Sequence, residues 1–369
     1  METTILSSTA DLNKYDDLVA KPVFPNVYYD RTYVELLAER LDAEPCFLGL
    51  LDGGSLEAAL PAVLQRNDRY GNVINSLPFH GSYGGPVVDP DQTPELNRTV
   101  SRELLSAFRS LAVDRDCVFS TVVPSPLSQR RAEHFDLLAP DYRDERVGQY
   151  TVLPPSLDDD RRDRLLYDRF SKDCRTAVRR AEREGIETVT VSDPCDEFDQ
   201  FYDLYQQSME TKGYSGKPTA EGGSLIGRAF VRQLFDRYEP DRCRLRCALL
   251  DGEVVGGVLE VRHGEVVDYF QTAIDPEYRN TGATNYLVYE GMCEAVEDGY
   301  TYWNFGGTWP SQEGVFKFKR SFGTVDAPYA YAINQYSPAD DLLDSTPDEL
   351  AAEYPGFYVL PYDELDAGA

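Results

Sequence analysis

The sequence predicts an α/β protein made of two related domains, each a mixed β-sheet flanked by helices, and three observations lead there. At 369 residues the chain exceeds the roughly 250–300 residues at which a single hydrophobic core stops growing, so two domains are expected. CFLGLLDGGSLEAALPAVLQR from Cys46 and CALLDGEVVGGVLEVRHG from Cys247 both show an apolar run, Leu-Leu-Asp-Gly and a second β-like run. The segments beyond these two runs are parallel too. The first copy continues with NVINSLPF, a Gly-rich loop, the helical LNRTVSRELLSAFRSLAV and the strand-like DCVFSTVVP. The second continues with EVVDYFQTA, a loop around Gly282, the helical NYLVYEGMCEAVEDG and the strand-like YTYWNFGG. The order hairpin, strand, helix, strand therefore occurs twice, the mark of an internal duplication.

Each element has a local reason. Asp52-Gly53 and Asp251-Gly252 are hairpin turn signals, because Gly takes a positive φ without steric cost. Pro, Ser and Asp in LPPSLDDD (Leu153–Asp160) read as a linker. Ser171 to Glu184 reads as a helix, with Cys174, Ala177, Val178 and Ala181 forming one apolar stripe and Gly185 placed to end it. Further helices are expected over Glu197–Lys212 and Leu225–Tyr238. Beyond Tyr336 the Asp-, Pro- and Leu-rich sequence reads as a loosely packed tail. The expected domains are thus 1–152 and 153–336, followed by an acidic tail over 337–369.

Composition excludes several functions. The chain holds 64 acidic and 36 basic residues, a net charge of −28, and the acids are spread rather than gathered in one arm. That distribution suits a surface kept soluble where salt screens self-repulsion, and it opposes generic nucleic-acid binding, which needs Lys and Arg to displace counterions. Seven scattered cysteines and only three histidines, His80, His134 and His263, offer no metal-ligand spacing. Reduced buried thiols and a cytoplasmic location are expected. No charged-then-apolar leader opens the sequence, and no apolar run reaches the ~18 residues of a membrane span.

One segment breaks the acidic pattern. Arg161, Arg162, Arg164, Arg169, Lys172, Arg175, Arg179, Arg180 and Arg183 fall within 160–183. Arg175 and Arg179 stand one helical turn apart, either as a grip for phosphates or as a solvated face paired with Asp168, Asp173 and Glu184.

Taken in order, the run Arg175 to Ala181, FYDLYQQSMETKGY, LLDGEVVGGVLEV, WNFGG and FKFKRSFG resembles the Fem-type (FemAB-like) peptidyltransferase branch of the GNAT acyltransferase superfamily. SLPFHGSYGGPVV from Ser76 is similar to that family's first domain, and the likeness covers roughly 20–335. It implies two tandem GNAT-like domains and acyl or aminoacyl transfer to an amine of a small molecule or a cell-surface-polymer precursor. The co-substrate it implies is aminoacyl-tRNA or acetyl-CoA/acyl-CoA, with no tightly bound cofactor. An acetyl-CoA-dependent N-acetyltransferase and a non-catalytic binding module on the same fold are the alternatives.

The resemblance also assigns residues. Lys319, in the family's FK-x-x-FG pattern, takes the oxyanion-stabilising role, and Phe318 walls the acyl site. Val266–Ala273 and Thr301–Phe305 become the two strands that splay apart in a GNAT sheet. Alternation along the first separates Asp268, Phe270 and Thr272 from Tyr269, Gln271 and Ala273. Asp268 and Tyr269 are candidates to accept the amine proton. Gln271, Asn304, Gly306 and Gly307 join the substrate site, and Tyr83, Gly84 and Gly85 a wall from the first domain, with His80 read as structural. Arg279 and Gly282 match the loop that holds a coenzyme A pyrophosphate at a helix N-terminus, whereas Thr284 departs from it. No serine or cysteine is set up as a covalent nucleophile.

The spread of charge generates a first prediction. Thermal melting followed from low to molar KCl should show a midpoint that rises with salt as surface repulsion is screened. A flat or falling midpoint would remove the salt-adapted reading.

Overall fold

The computed structural model describes residues 1–21, 27–78, 83–128, 130–155, 165–211, 227–309, 311–361 and 364–365. Two compact units emerge: Met1–Arg146 with Pro328–Ala369, and Val147–Gly216 with Ile226–Ala327. The divisions fall inside two strands, β7 (Tyr142–Val152) and β13 (Val325–Gln335). Residues 156–160 of the expected linker lie outside the described residues.

The first unit contains β1 (Glu2–Ile5), β2 (Glu44–Asp52), β3 (Ser55–Gln65), β4 (Asn72–Ser76) and β6 (Cys117–Val122), in that order across its sheet. Residues 332–335 of β13 pair with β6, and β5 (Val87–Val88) pairs with β3. Helix α3 (Pro94–Asp114) starts at a Thr93 cap and turns Val100, Leu104, Leu105 and Phe108 into the core. Between them, β2–β3, β4, α3 and β6 are the predicted hairpin, strand, helix and strand.

The second unit repeats this order. Strands β9 (Cys243–Leu250) and β10 (Glu253–His263) form the hairpin, followed by β11 (Val266–Ile274), α8 (Ala283–Glu297) and β12 (Tyr302–Thr308). Its sheet runs β7, β12, β11, β10, β9, β8, the last being Glu187–Val191. Asp251 (φ 53) and Gly252 (φ 85) both adopt positive φ between β9 and β10, as a tight hairpin with native twist requires. Around the sheet lie α5 (Lys172–Arg183), α6 (Asp196–Thr211), α7 (Arg228–Arg237) and α9 (Glu313–Arg320). The apolar stripe read from the sequence holds in α5. Ser171 caps it, Cys174, Val178 and Ala181 are buried, and Gly185 follows the end at φ 77.

Buried charge ties α8 to the sheet. Arg244, Arg246 and Arg262 from β9 and β10 meet Glu260, Glu294 and Asp298, with Arg262 bonded to Glu260 at 2.9 Å and to Asp298 at 2.6 Å. Glu294 and Asp298 stand at the C-terminal end of α8, where a carboxylate opposes the helix dipole. The three guanidinium groups offset that local penalty and hold Glu294 below its ordinary pKa against the effect of burial.

Two findings differ from the sequence reading. The C-terminal segment is not loose: helices α10 (Asp340–Leu343) and α11 (Pro347–Glu353) are followed by buried Tyr354, Tyr358 and Leu360. The Tyr358 carbonyl accepts from Asn75 and Thr121 of the first unit's sheet, at 3.0 and 2.8 Å. Strict alternation along β11 also fails. Leu259 faces Gln271 but Glu260 faces Tyr269, so Phe270 is an extra residue on β11. A bulge of this kind resets the side-chain parity.

Glycine positions provide the test. A Cβ on Gly84 would fall on the Ser76 carbonyl, whereas one on Gly314, in the first turn of α9, would meet nothing within 4 Å. Gly84→Ala should destabilise by about 1–3 kcal/mol or more, the cost of overpacking. Gly314→Ala should stabilise by about 0.5–1 kcal/mol through helix propensity. Urea unfolding of both variants decides the matter, and equal effects would contradict the close approach at Gly84.

Candidate functional site

In the second unit the parallel pairing of β11 with β12 is short. Val266, Val267 and Asp268 face Tyr302, Trp303 and Asn304, and there the register ends, although β11 runs on to Ile274 and β12 to Thr308. The strands splay from that point. On its other side β12 carries one extra residue against β7, between the pairs Asn304–Tyr150 and Gly307–Gly148, with Gly306 at φ 73. Only glycine takes this left-handed conformation without steric cost.

The splay frees main-chain groups that need partners. Asn304 supplies one: its Oδ1 accepts from the Gly306 N–H at 3.0 Å, while its Nδ2 donates to the Asp268 carboxylate, Oδ1, at 2.7 Å. Both side chains are buried. Lys319, near the end of α9, supplies the rest. Its Nζ donates to the Gly307 carbonyl at 3.0 Å, to Thr308 Oγ1 at 2.8 Å and, more weakly, to the Gly306 carbonyl at 3.5 Å. Lys319 is only 7% exposed, and burial pushes its pKa down to about 7. The FK-x-x-FG pattern explains how it gets there. Phe322 is fully buried against Phe170, Phe305 and Phe318, and its carbonyl accepts from Thr151 at 3.1 Å.

The predicted site residues divide between the two faces of this sheet. Gln271 joins α6, accepting from the Tyr202 hydroxyl at 2.8 Å and donating to Tyr205 at 3.3 Å. Tyr269 lies on the other side of the bulge and packs on Phe305, within the core cluster that holds Trp303 and α8. Tyr269 and Gln271, expected to share a face, are separated by Phe270. Burial raises the Tyr269 phenol above its ordinary pKa, so at neutral pH it keeps its proton and has an O–H to donate.

Other predicted residues serve the frame. Arg175 donates to the carbonyls of Tyr167 and Phe170 at 3.0 and 2.9 Å. Arg179 lies 5.7 Å over the Tyr167 ring. Arg161, Arg162 and Arg164 fall outside the described residues. Arg279 is exposed. Gly282, at φ 89, begins α8, and a Cβ there would fall on the Ala177 carbonyl of α5. Arg180 of α5 donates to the Asn280 carbonyl at 2.6 Å. The loop expected to cradle a pyrophosphate thus has a helix main chain against its glycine.

Tyr83, Gly84 and Gly85 belong to the first unit, where they close the equivalent opening. The Gly84 N–H donates to the Val123 carbonyl at 2.7 Å, and the Tyr29 hydroxyl donates to the Gly84 carbonyl at 2.6 Å. Gly85 donates to Ser76 Oγ at 2.8 Å. Tyr83 is fully buried against Tyr28 and Tyr329, a core position and not a cleft wall. His80 lies outside the described residues. The open splay is therefore in the second unit, and residues 168–320 match the acetyltransferase (GNAT) domain family.

This part of the chain is GNAT-like. A GNAT domain takes an activated acyl donor and an acceptor, and acyl transfer is accordingly the class of activity. Whole-chain likenesses agree in fold. FemX superposes with a TM-score of 0.66 at 14% identity, covering 93% of this chain and 98% of that one. The C-terminal domain (DUF2156) of a putative lysylphosphatidylglycerol synthetase from Agrobacterium fabrum gives 0.58 at 15% identity, covering 96% and 100%. A tandem GNAT protein from the clavulanic acid biosynthesis pathway gives 0.52 at 15%, covering 92% and 99%. No curated protein matches the sequence. Among the described residues no group of His, Cys, Asp and Glu could hold a metal, and no helix is long and apolar enough to cross a membrane.

Two residues around Lys319 escaped the sequence reading. Thr308 and Gln149 complete the surroundings of Lys319, but 159 residues separate them and neither belongs to a local motif.

The buried lysine carries a pH signature. Its folded pKa, about 7, lies below its ordinary value of 10.5, so between those values the unfolded chain binds more protons and stability rises with pH. The penalty is fully present below about pH 7 and gone above 10.5. Lys319→Met should flatten this rise, and unfolding midpoints from pH 7 to 10 measure it. Parallel curves for the two proteins would show that Lys319 is not a strained cation.

Proposed function

We propose that the second unit transfers an activated acyl or aminoacyl group to an amine, with Lys319 as the cation at the reacting carbonyl. The observation that carries this reading is a buried ammonium held against Gly306 and Gly307, where β11 and β12 part. The acceptor nitrogen attacks the donor carbonyl, a C–N bond forms, and the C–O or C–S bond to the carrier breaks. Negative charge develops on the carbonyl oxygen between these events. A fixed cation in a water-poor site lowers that barrier, and positioning supplies much of the remainder. The contact of Nζ with Gly306 is the weakest of its three, so that N–H is the one available to the oxyanion.

The acceptor's proton needs another destination. Burial raises the Tyr269 phenol further above neutrality, which favours another group as the base. Asp268, bonded to Asn304 at the apex of the splay, is the carboxylate placed nearest the point of divergence. Gln271, with Tyr202 and Tyr205, forms the polar surface on the same side.

The donor is read as an aminoacyl ester in preference to a coenzyme A thioester. The α5 main chain lies against Gly282, which narrows the approach to this loop from that side. The fold relatives named FemX and lysylphosphatidylglycerol synthetase are consistent with aminoacyl chemistry. The acceptor is an amine of a small molecule or of a cell-surface-polymer precursor, and a charged tRNA is the candidate carrier. A cytoplasmic setting suits such a donor.

Two measurements test the reading. Lys319→Ala should lower turnover by about 10²–10³, the scale for losing an oxyanion donor, with unchanged folding; full activity would remove Lys319 from the mechanism. Calorimetric titration in molar salt with coenzyme A, and separately with charged tRNA, tests the donor. Tight coenzyme A binding that is lost in Arg279→Ala would overturn the aminoacyl preference, and binding of neither would favour a non-enzymatic module.

A further inference from the structure

Gln149, on β7, is fully buried beneath Lys319. Its Nε2 donates to the Phe316 carbonyl at 3.3 Å and to Asp326 Oδ1 at 3.1 Å. A carbonyl and a carboxylate can only accept, so the amide nitrogen must face them. Oε1 is left facing Thr308 Oγ1 at 3.5 Å. A hydroxyl has one hydrogen. Thr308 spends it on Gln149 and turns a lone pair towards Lys319 Nζ, 2.8 Å away.

All three neighbours of Nζ are then acceptors: two glycine carbonyls and a hydroxyl whose hydrogen points elsewhere. A neutral amine carries two hydrogens and a lone pair, and would set that lone pair against one of these oxygens. The ammonium has a hydrogen for each of them, the one towards Gly306 being the longest at 3.5 Å, and so matches the arrangement better although burial opposes it. The charged groups around Lys319 do not decide its state. Among the described residues, Asp326 of β13 stands behind Gln149, while Glu313, Lys317 and Arg320 of α9 are exposed. Glu313 bonds Lys317 at 2.8 Å.

We propose that Gln149 and Thr308 form a relay of positioning residues that holds Lys319 as a hydrogen-bond donor in its cationic form. The relay rests on the reading of Lys319 as the oxyanion cation, but its direct consequence, the proton affinity of Lys319, exists without substrate. Removing the amide frees the Thr308 hydrogen to turn towards Nζ, and removing the hydroxyl deletes an acceptor. Both changes favour the neutral amine.

The test follows the ¹³Cε chemical shift of Lys319 against pH in the full chain. Seven lysines in the sequence make the spectrum tractable, and Lys319→Arg identifies the resonance by its loss. In Thr308→Val and Gln149→Met the titration midpoint should fall by about one pH unit, tenfold in proton affinity. Thr308→Ser keeps the hydroxyl and should restore the wild-type midpoint, which separates the relay from a packing defect. The alkaline limb of kcat/KM should move down with the midpoint in the same variants. Midpoints unchanged in both Thr308→Val and Gln149→Met would overturn the relay, even if Lys319→Ala is inactive. Shifted midpoints beside a fully active Lys319→Ala would instead uphold the relay and sink the catalytic reading.

Discussion

The early end of the β11–β12 pairing is the constraint to which the second unit's site answers. A parallel ladder normally consumes main-chain donors and acceptors on both strands. After Asp268 and Asn304 this one stops, and the released groups must be satisfied or solvated. The extra residue at Gly306 turns main-chain carbonyls towards α9, where Lys319 takes them. Asn304 holds the bulge from the opposite side. Asn304 and Lys319 are the side chains that take up main-chain groups at the break. The first unit shows the alternative outcome: Gly84 folds back onto Val123, and the corresponding opening is filled by the chain itself.

Much of the architecture was legible because it is encoded locally. Asp251-Gly252, the Ser171 cap and the apolar stripe of α5 each act over a few residues, and the two copies of hairpin, strand, helix and strand repeat them in order. Lys319 was legible through the spacing of FK-x-x-FG. The bulge in β11 was not: one inserted residue reverses the parity of everything after it, and Phe270 does not differ from an ordinary strand residue. Gly306-Gly307 in β12, by contrast, did carry a signal. The C-terminal segment misled for the opposite reason. Its Asp and Pro content suggested a loose tail, yet Leu350, Tyr354 and Tyr358 sit among acids at a spacing that buries them. Gln149 could not be found from sequence at all, since it meets Thr308 only through tertiary pairing.

Several residues chosen for ligands turned out to be parts of the frame. Arg175 and Arg180 spend guanidinium donors on carbonyls of neighbouring loops. Gly282 is small because a helix passes against it. The same chemical traits that suit a phosphate site, many donors and little bulk, also suit the close approach of two main chains. Sequence alone cannot separate these uses, because both reward the same residue types.

The buried charges beneath α8 have a consequence for how the unit responds to its medium. Glu260 and Arg262 are wholly enclosed and Arg246 nearly so, so dissolved ions cannot come between them as they do between exposed pairs. Within this cluster Arg246 and Arg262 share Glu260, and Glu294, Asp298 and Asp241 close the network around them and Arg244. Loss of any one member would strand an uncompensated charge inside the unit. The seam is therefore graded: salt reaches its outer carboxylates, Glu294 and Asp298, while the inner Glu260–Arg262 contact stays as it was.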